Sequence, residues 1–250
     1  MSSAREITTN PMYYSHGNTE FHGHLALPAD LTTPRPAVLV VHEWWGRTAF
    51  TDERAQALAE LGYVGLSIDL YGHHQQADTP AEAGALSSAL TQDFPELKAR
   101  FMAAYQALQA QPMVDAQKIA AIGYCFGGSV ALSMARQGVP LAGVVGFHAG
   151  VANLAPISGQ LKTPIALFTG GNDPFVPNEA VAAAVDEMRA AGGTVAVTTY
   201  PAARHAFTNP QATAKGAQFG LPLVYSPDAA TDSWGKAAAF LQQCFAGRLT

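Results

Sequence analysis

The chain has 250 residues, 48% of them hydrophobic and only 13% charged against a usual value of about 25%, so it has ample apolar surface to bury and little charge to keep it open, which excludes intrinsic disorder. The net charge is −5 and there is no basic run or basic helix face, which excludes nucleic acid or an anionic membrane as the main partner. Two cysteines, Cys125 and Cys244, are too few for a disulfide framework, and no segment approaches the roughly 18 consecutive apolar residues of a membrane span.

Residues 1–11 carry Arg5, Glu6 and Asn10 and no apolar stretch of signal-peptide length, so a cytoplasmic location is expected. No repeat, low-complexity tract or linker divides the chain, and one domain over residues 1–250 is the expectation. Residues 20–27 alternate and predict an early antiparallel strand near a sheet edge. The aliphatic run Ala37 to Val41 predicts a strand buried on both faces. Thr51 and Asp52 offer a cap for a helix through Leu58 and Leu61, stopped by Gly62. Tyr63 to Ile68 is the next strand, followed by a polar loop with His73 and His74.

Thr79-Pro80-Ala81-Glu82 has the form of a capping box with proline at the first helical position, and Leu97, Phe101, Tyr105 and Leu108 continue at helical spacing. Further strands are predicted at Ile119 to Gly123, Ala142 to Phe147, Ile165 to Thr169 and Val195 to Tyr200. Helices fit at Ser129 to Arg136, Glu179 to Arg189, and Asp232 to about Phe245. This alternation implies an α/β fold whose mostly parallel central sheet carries helices on both faces and binds its ligand beyond the carboxyl ends of the strands.

At one such strand end lies Gly123-Tyr124-Cys125-Phe126-Gly127-Gly128, with the spacing Gly-x-Nuc-x-Gly of a nucleophile elbow and cysteine in the place of the usual serine. The small residues let strand and helix backbones pass closely, and the cysteine stands at the positive end of the following helix, where developing negative charge is stabilised. Alone, the segment reads equally well as a buried structural cysteine beside a glycine turn. Partners follow in the chain order of an α/β-hydrolase: Asp173 in Thr169-Gly170-Gly171-Asn172-Asp173-Pro174, and His205 in Ala203-Arg204-His205-Ala206-Phe207. Each has a plainer reading, a turn-forming aspartate and a surface-loop histidine, but three arriving in order after successive strands are far more specific. In this reading His205 takes and returns protons while Asp173 fixes its tautomer and stabilises its cation. The loop His42-Glu43-Trp44-Trp45-Gly46 follows the aliphatic strand; it and the elbow would supply the backbone N–H groups of Trp44 and Phe126 as an oxyanion hole, with Glu43 beside the sulfur.

Taken together, His42-Glu43-Trp44-Trp45-Gly46, Asp69-Leu70-Tyr71-Gly72, Gly123-Tyr124-Cys125-Phe126-Gly127-Gly128, Gly171-Asn172-Asp173 and His205-Ala206-Phe207 resemble the dienelactone hydrolase family over nearly the whole chain. The resemblance implies an α/β-hydrolase fold, a Cys125-His205-Asp173 triad, and Glu43 as acceptor of the thiol proton, so that Cys125 rests largely protonated until substrate shifts Glu43. It implies hydrolysis of a small-molecule ester or lactone without a cofactor, by a monomer or homodimer. Substrate would contact Trp45, Tyr71, His73, Phe175, Arg204, Phe207 and Asn209. His73 and Asn209 stand where family members acting on dienelactone carry two arginines for the substrate carboxylate, and neither gives the bidentate grip of a guanidinium. Trp44, Trp45, Phe126, Phe175 and Phe207 instead point to an aromatic-lined site for a more apolar ester. The rivals are the same site acting on thioesters or activated phosphotriesters, and a non-catalytic binding protein on the same scaffold. Metal binding is a third: His22 and His24 have one-face strand spacing and His73 and His74 adjoin, but no carboxylate or cysteine is seen to complete a ligand set.

Overall fold

A computed structural model describes residues 5–249; residues 1–4 and 250 of the expected single domain lie outside the described residues. The described chain falls into two compact units that divide between Ala121 and Ile122.

The first unit contains β1 (Ile7–His16), β2 (Thr19–Pro28), β3 (Arg35–Val41), α1 (Ala49–Glu60), β4 (Val64–Ile68), α2 (Pro80–Gln92), α3 (Phe94–Gln109) and most of β5 (Val114–Tyr124). β1 and β2 form an antiparallel hairpin in register from Ile7↔Pro28 to His16↔Thr19, turned at Gly17 with φ 56°. β2 then pairs antiparallel with β4, and β4 pairs parallel with β3, where Ala37 to Val41 are fully buried as the aliphatic run requires. The predicted strand over 20–27 is therefore second from the edge, and β1 covers it. In β2, Phe21, Gly23 and Leu25 are buried while His22 and His24 take the alternate positions.

The helix ends follow their caps. Thr79 and Glu82 make the predicted reciprocal pair at the start of α2, with Pro80 in its first turn. α1 begins at Ala49, earlier than expected, because Thr48 is the cap and Thr51 is the partner whose hydroxyl accepts from the Thr48 amide. The helical pattern over 80–109 is two helices: Asp93 ends α2 and caps α3 by accepting from the Glu96 amide at 3.1 Å.

The second unit contains α4 (Phe126–Arg136), β6 (Val144–Phe147), β7 (Ile165–Gly170), α5 (Asn178–Ala190), β8 (Val195–Tyr200), α6 (Ala212–Phe219) and α7 (Pro227–Phe245). β6, β7 and β8 pair in parallel, in that order. The rings of Tyr124, Phe147 and Phe168 stack in series, with centroids 4.7 and 5.2 Å apart. Each such pair contributes about 0.5–1.5 kcal/mol beyond its area burial and stiffens the strand ends on which the loops of the candidate site are mounted. All eight strands belong to one mostly parallel sheet, the predicted fold class. Among the described residues no helix is long and apolar enough to cross a membrane.

Candidate active site

Cys125 stands between the last residue of β5 and the first of α4 with φ 53° and ψ −116°. A non-glycine residue in that region costs on the order of 1–3 kcal/mol and persists only where its surroundings over-determine it. Here its N–H donates to the Phe147 carbonyl at 3.0 Å and its own carbonyl accepts from Ser129 N–H at 3.2 Å. A Cβ on Gly123 would run into the Gly127 carbonyl, and one on Gly128 would come within 2.5 Å of the Ala149 side chain. The glycines of the motif are thus a steric condition for the sharp turn, and Cys125 is partly exposed upon it.

Asp173 sits in the loop after β7. Its Oδ1 accepts the N–H groups of Phe175 at 2.9 Å and Val176 at 3.2 Å, which leaves Oδ2 for His205 Nδ1 at 2.7 Å. The pair is buried, with side-chain exposures of 7% for His205 and 1% for Asp173. The two loops fit because Gly170 and Gly171 lack side chains: a Cβ at the first would come 2.5 Å from the Ala203 carbonyl, and at the second 2.7 Å from Pro201. Asn172 N–H also donates to the Ala203 carbonyl at 3.0 Å. Beyond His205, Ala206 has φ 58°, and the His205 carbonyl accepts from Val224 N–H at 3.2 Å.

The environment of His205 favours its cation. Burial alone, the largest influence, would depress its pKa; the electrostatic influence of Cys125, hydrogen bonds to Asp173 and Cys125, and the Asp173 charge together outweigh it and push it up to about 10. The imidazole thus meets a buried carboxylate through Nδ1 and also interacts with Cys125. Phe175, 51% exposed, sets its ring edge-on to His205 at 5.2 Å.

Sequence reasoning missed His148. It follows β6 directly, is fully buried with φ 39°, and places its ring 5.1 Å from that of His205 at 64°. Its Nε2 pairs with the Thr208 hydroxyl at 2.9 Å, which ties the loop after β6 to the loop carrying His205. Burial, then the neighbouring His205 charge, hold its pKa well below the ordinary histidine value, so it stays neutral. Its place at the carboxyl end of a parallel strand was the signal that could have found it.

Of the other expected contacts in the second unit, Phe126 opens α4 and is buried, Arg204 is exposed, and Asn209 is buried with Oδ1 accepting Gln211 N–H at 2.9 Å. Phe207 is fully buried, packed on His148 and Tyr200. In the first unit Glu43 and Trp45 are buried and Trp44 is partly exposed. His42 shapes their loop: Leu70 N–H donates to its Nε2 at 3.2 Å, so its Nδ1 donates to the Glu43 carbonyl at 2.6 Å. Tyr71 donates its hydroxyl to the Trp44 carbonyl at 2.8 Å, and His73 is exposed with φ 50°. One expectation is corrected. A carboxylate does stand near the histidines: Glu20, which shares a strand face with His22, lies with His22 and His73 so that one donor atom from each falls within 4.8 Å of the others.

The sheet, its crossover helices and a strained turn at the β5–α4 junction define an α/β-hydrolase. The chain belongs to the dienelactone hydrolase family, whose family model matches residues 21–245. It is similar to a carboxymethylenebutenolidase from a Pseudomonas species, 32% identical over 66% of this chain and 70% of that one. A putative carboxymethylenebutenolidase from Aquifex aeolicus is 28% identical over 85% of this chain and 91% of that one. Among solved structures, a dienelactone hydrolase-like promiscuous phosphotriesterase from metagenomic libraries is 33% identical with a TM-score of 0.87, covering 95% of this chain and 98% of that one.

Proposed function

We propose that the protein hydrolyses carboxylic ester or lactone bonds with Cys125 as nucleophile, His205 as proton carrier and Asp173 as the group that orients it. The observation that carries the reading is the 2.7 Å contact of buried His205 Nδ1 with Asp173, on an imidazole whose charge responds to the Cys125 sulfur.

In this mechanism the sulfur attacks the substrate carbonyl and the carbonyl π pair moves to oxygen. Collapse of the adduct expels the alcohol oxygen, which takes its proton from His205 and leaves an S-acyl enzyme. His205 then takes a proton from water, the hydroxide attacks the acyl carbon, and the acid leaves with the sulfur restored. The N–H groups of Trp44 and Phe126 as oxyanion donors, and Glu43 as acceptor of the thiol proton, enter on the family resemblance and on their positions at strand ends. The reaction so written uses no cofactor.

An apolar ester suits the site better than a small carboxylated lactone, because His73 is exposed and Asn209 is buried and partly committed to a backbone amide. Trp45, Tyr71, Phe175, Arg204 and Phe207 complete the proposed surroundings of the substrate, and a cytoplasmic monomer or homodimer is the proposed working form. Activated phosphotriesters are a second substrate class, favoured by the 33% identity to the promiscuous phosphotriesterase. The test is turnover of p-nitrophenyl esters, a carboxylated lactone and an aryl phosphotriester by the wild type and by Cys125→Ala, with circular dichroism to show that both are folded. Turnover that fails by about 10⁴-fold or more in the variant supports the assignment, and unchanged turnover refutes it.

A further inference from the structure

Along β2, residues two apart share a face, so Glu20 and His22 stand side by side where Thr19–Pro28 pairs with β1. The loop after β4 brings a third donor. His73 N–H donates to the Glu20 carbonyl at 2.8 Å, which seats the loop on the strand, and one donor atom each from Glu20, His22 and His73 lies within 4.8 Å of the other two. We propose that these three residues form a divalent metal site for a borderline ion of the zinc type, built into the first unit and separate in residues from Cys125, Asp173 and His205.

Two imidazoles and one carboxylate are the donors that zinc, cobalt, nickel or copper ions accept, whereas magnesium and calcium ask for oxygen. With bonds of about 2.0–2.2 Å, donors around a tetrahedral ion sit roughly 3.4 Å apart, so these atoms need to close by about 1.4 Å at most. Glu20 and His73 are exposed and His22 is partly so, which leaves the side chains room for that adjustment. His22 Nε2 already pairs with Glu20 Oε1 at 2.9 Å, and the ion would take the place of the proton between them, moved to Nδ1 or released. Three protein ligands leave a fourth position for water or a small anion.

The backbone that presents these donors is held from beneath by one group. Asp69 is fully buried; its Oδ2 accepts the N–H of His22 at 3.2 Å and of His74 at 2.8 Å, and its Oδ1 accepts those of Tyr71 at 2.9 Å and Gly72 at 3.0 Å. A single carboxylate thus fixes the strand carrying one imidazole and the loop on either side of the other. That loop is strained at His73 and His74, whose φ of 50° and 57° is a conformation side chains rarely adopt, whereas Gly72 before them takes its φ of 96° freely. The rings of Tyr13 and His73 meet the His22 ring in T-shaped contacts, with centroids 5.1 and 6.0 Å away. The neighbouring histidines are engaged elsewhere: His24 Nε2 meets Gln56 at 3.3 Å and His74 Nε2 meets the Arg47 carbonyl at 3.0 Å.

The test is titration of the untagged full chain with zinc by calorimetry, and with cobalt by visible absorption, in a Cys125→Ala background so that the thiol of the proposed nucleophile supplies no ligand. One ion per chain is expected, and His22→Ala and His73→Ala should each weaken its binding by at least about tenfold. Glu20→Gln should weaken it as well, and His24→Ala should leave it unchanged. Absence of one-to-one binding overturns the proposal, as does binding that survives His22→Ala and His73→Ala or falls equally with His24→Ala. The outcome stands apart from that of the hydrolase test, which reads Cys125 alone.

Discussion

The two cysteines lie in the second unit in opposite surroundings. Cys125 sits partly exposed on a strained turn, beside an imidazole that a buried carboxylate holds toward its cation. Cys244 is buried on α7 against Gly143, where an added Cβ would come within 2.6 Å of its sulfur, and burial pushes its thiol up to about 12. Sulfur is nucleophilic as thiolate, so burial disfavours the reactive form of Cys244. Burial alone does not decide what charge a group carries: His148 and His205 are both buried with rings 5.1 Å apart, yet one is held neutral and the other pushed up to about 10, because only His205 pairs with a carboxylate.

The harshest way to break this contrast is to remove the carboxylate. Asp173→Asn leaves the shape of the loop but offers an amide to His205 Nδ1, and kcat for the preferred ester should fall by about 10³–10⁴-fold. Near-wild-type turnover would mean that the environment of Cys125 does not depend on the Asp173–His205 pair. Alkylation sharpens the contrast directly. At pH 8 a thiol with a pKa of about 12 is ionised in only about one molecule in 10⁴, so iodoacetamide should modify Cys125 at least about 100-fold faster than Cys244, in step with activity loss. Peptide mapping by mass spectrometry reads both rates in one sample.

A smaller effect appears in stability. The folded pKa of His205 lies above the unfolded value of about 6.5, so the stabilisation from its cation is fully present below that pH and is lost as pH climbs toward 10. Asp173→Asn removes a hydrogen bond and a charge that raise the His205 pKa. The urea midpoint of the variant should therefore fall less steeply than that of the wild type between pH 7 and 10, and parallel curves would show that Asp173 does not hold His205 toward its cation.

Much of the candidate site was legible in the residues because Cys125, Asp173 and His205 lie in short motifs at strand ends. The strand runs, the Thr79–Glu82 cap and the loops of Cys125, Asp173 and His205 all declare themselves locally. What was missed depends on tertiary contacts. β1 carries Asn10 and Pro11 and is mostly exposed, so only its pairing with β2 makes it a strand, at an edge where proline is tolerated. α6 spans only eight residues and contains Gly216, whose added Cβ would come 2.5 Å from the Leu223 carbonyl. His148 has no motif around it, and its role emerges only when the loop after β6 meets Thr208. Glu20 likewise joins His22 and His73 only because the strand and a loop some fifty residues away are fastened together through Asp69.

The central claim is that the sulfur of Cys125 carries the acyl group. Rapid acid quench of the enzyme with a slowly turned-over aryl ester, followed by intact-mass and peptide mass spectrometry, should show one acyl group on the peptide containing Cys125 and none on that containing Cys244. Steady turnover with no acyl adduct at Cys125, or an adduct on another side chain, would contradict it.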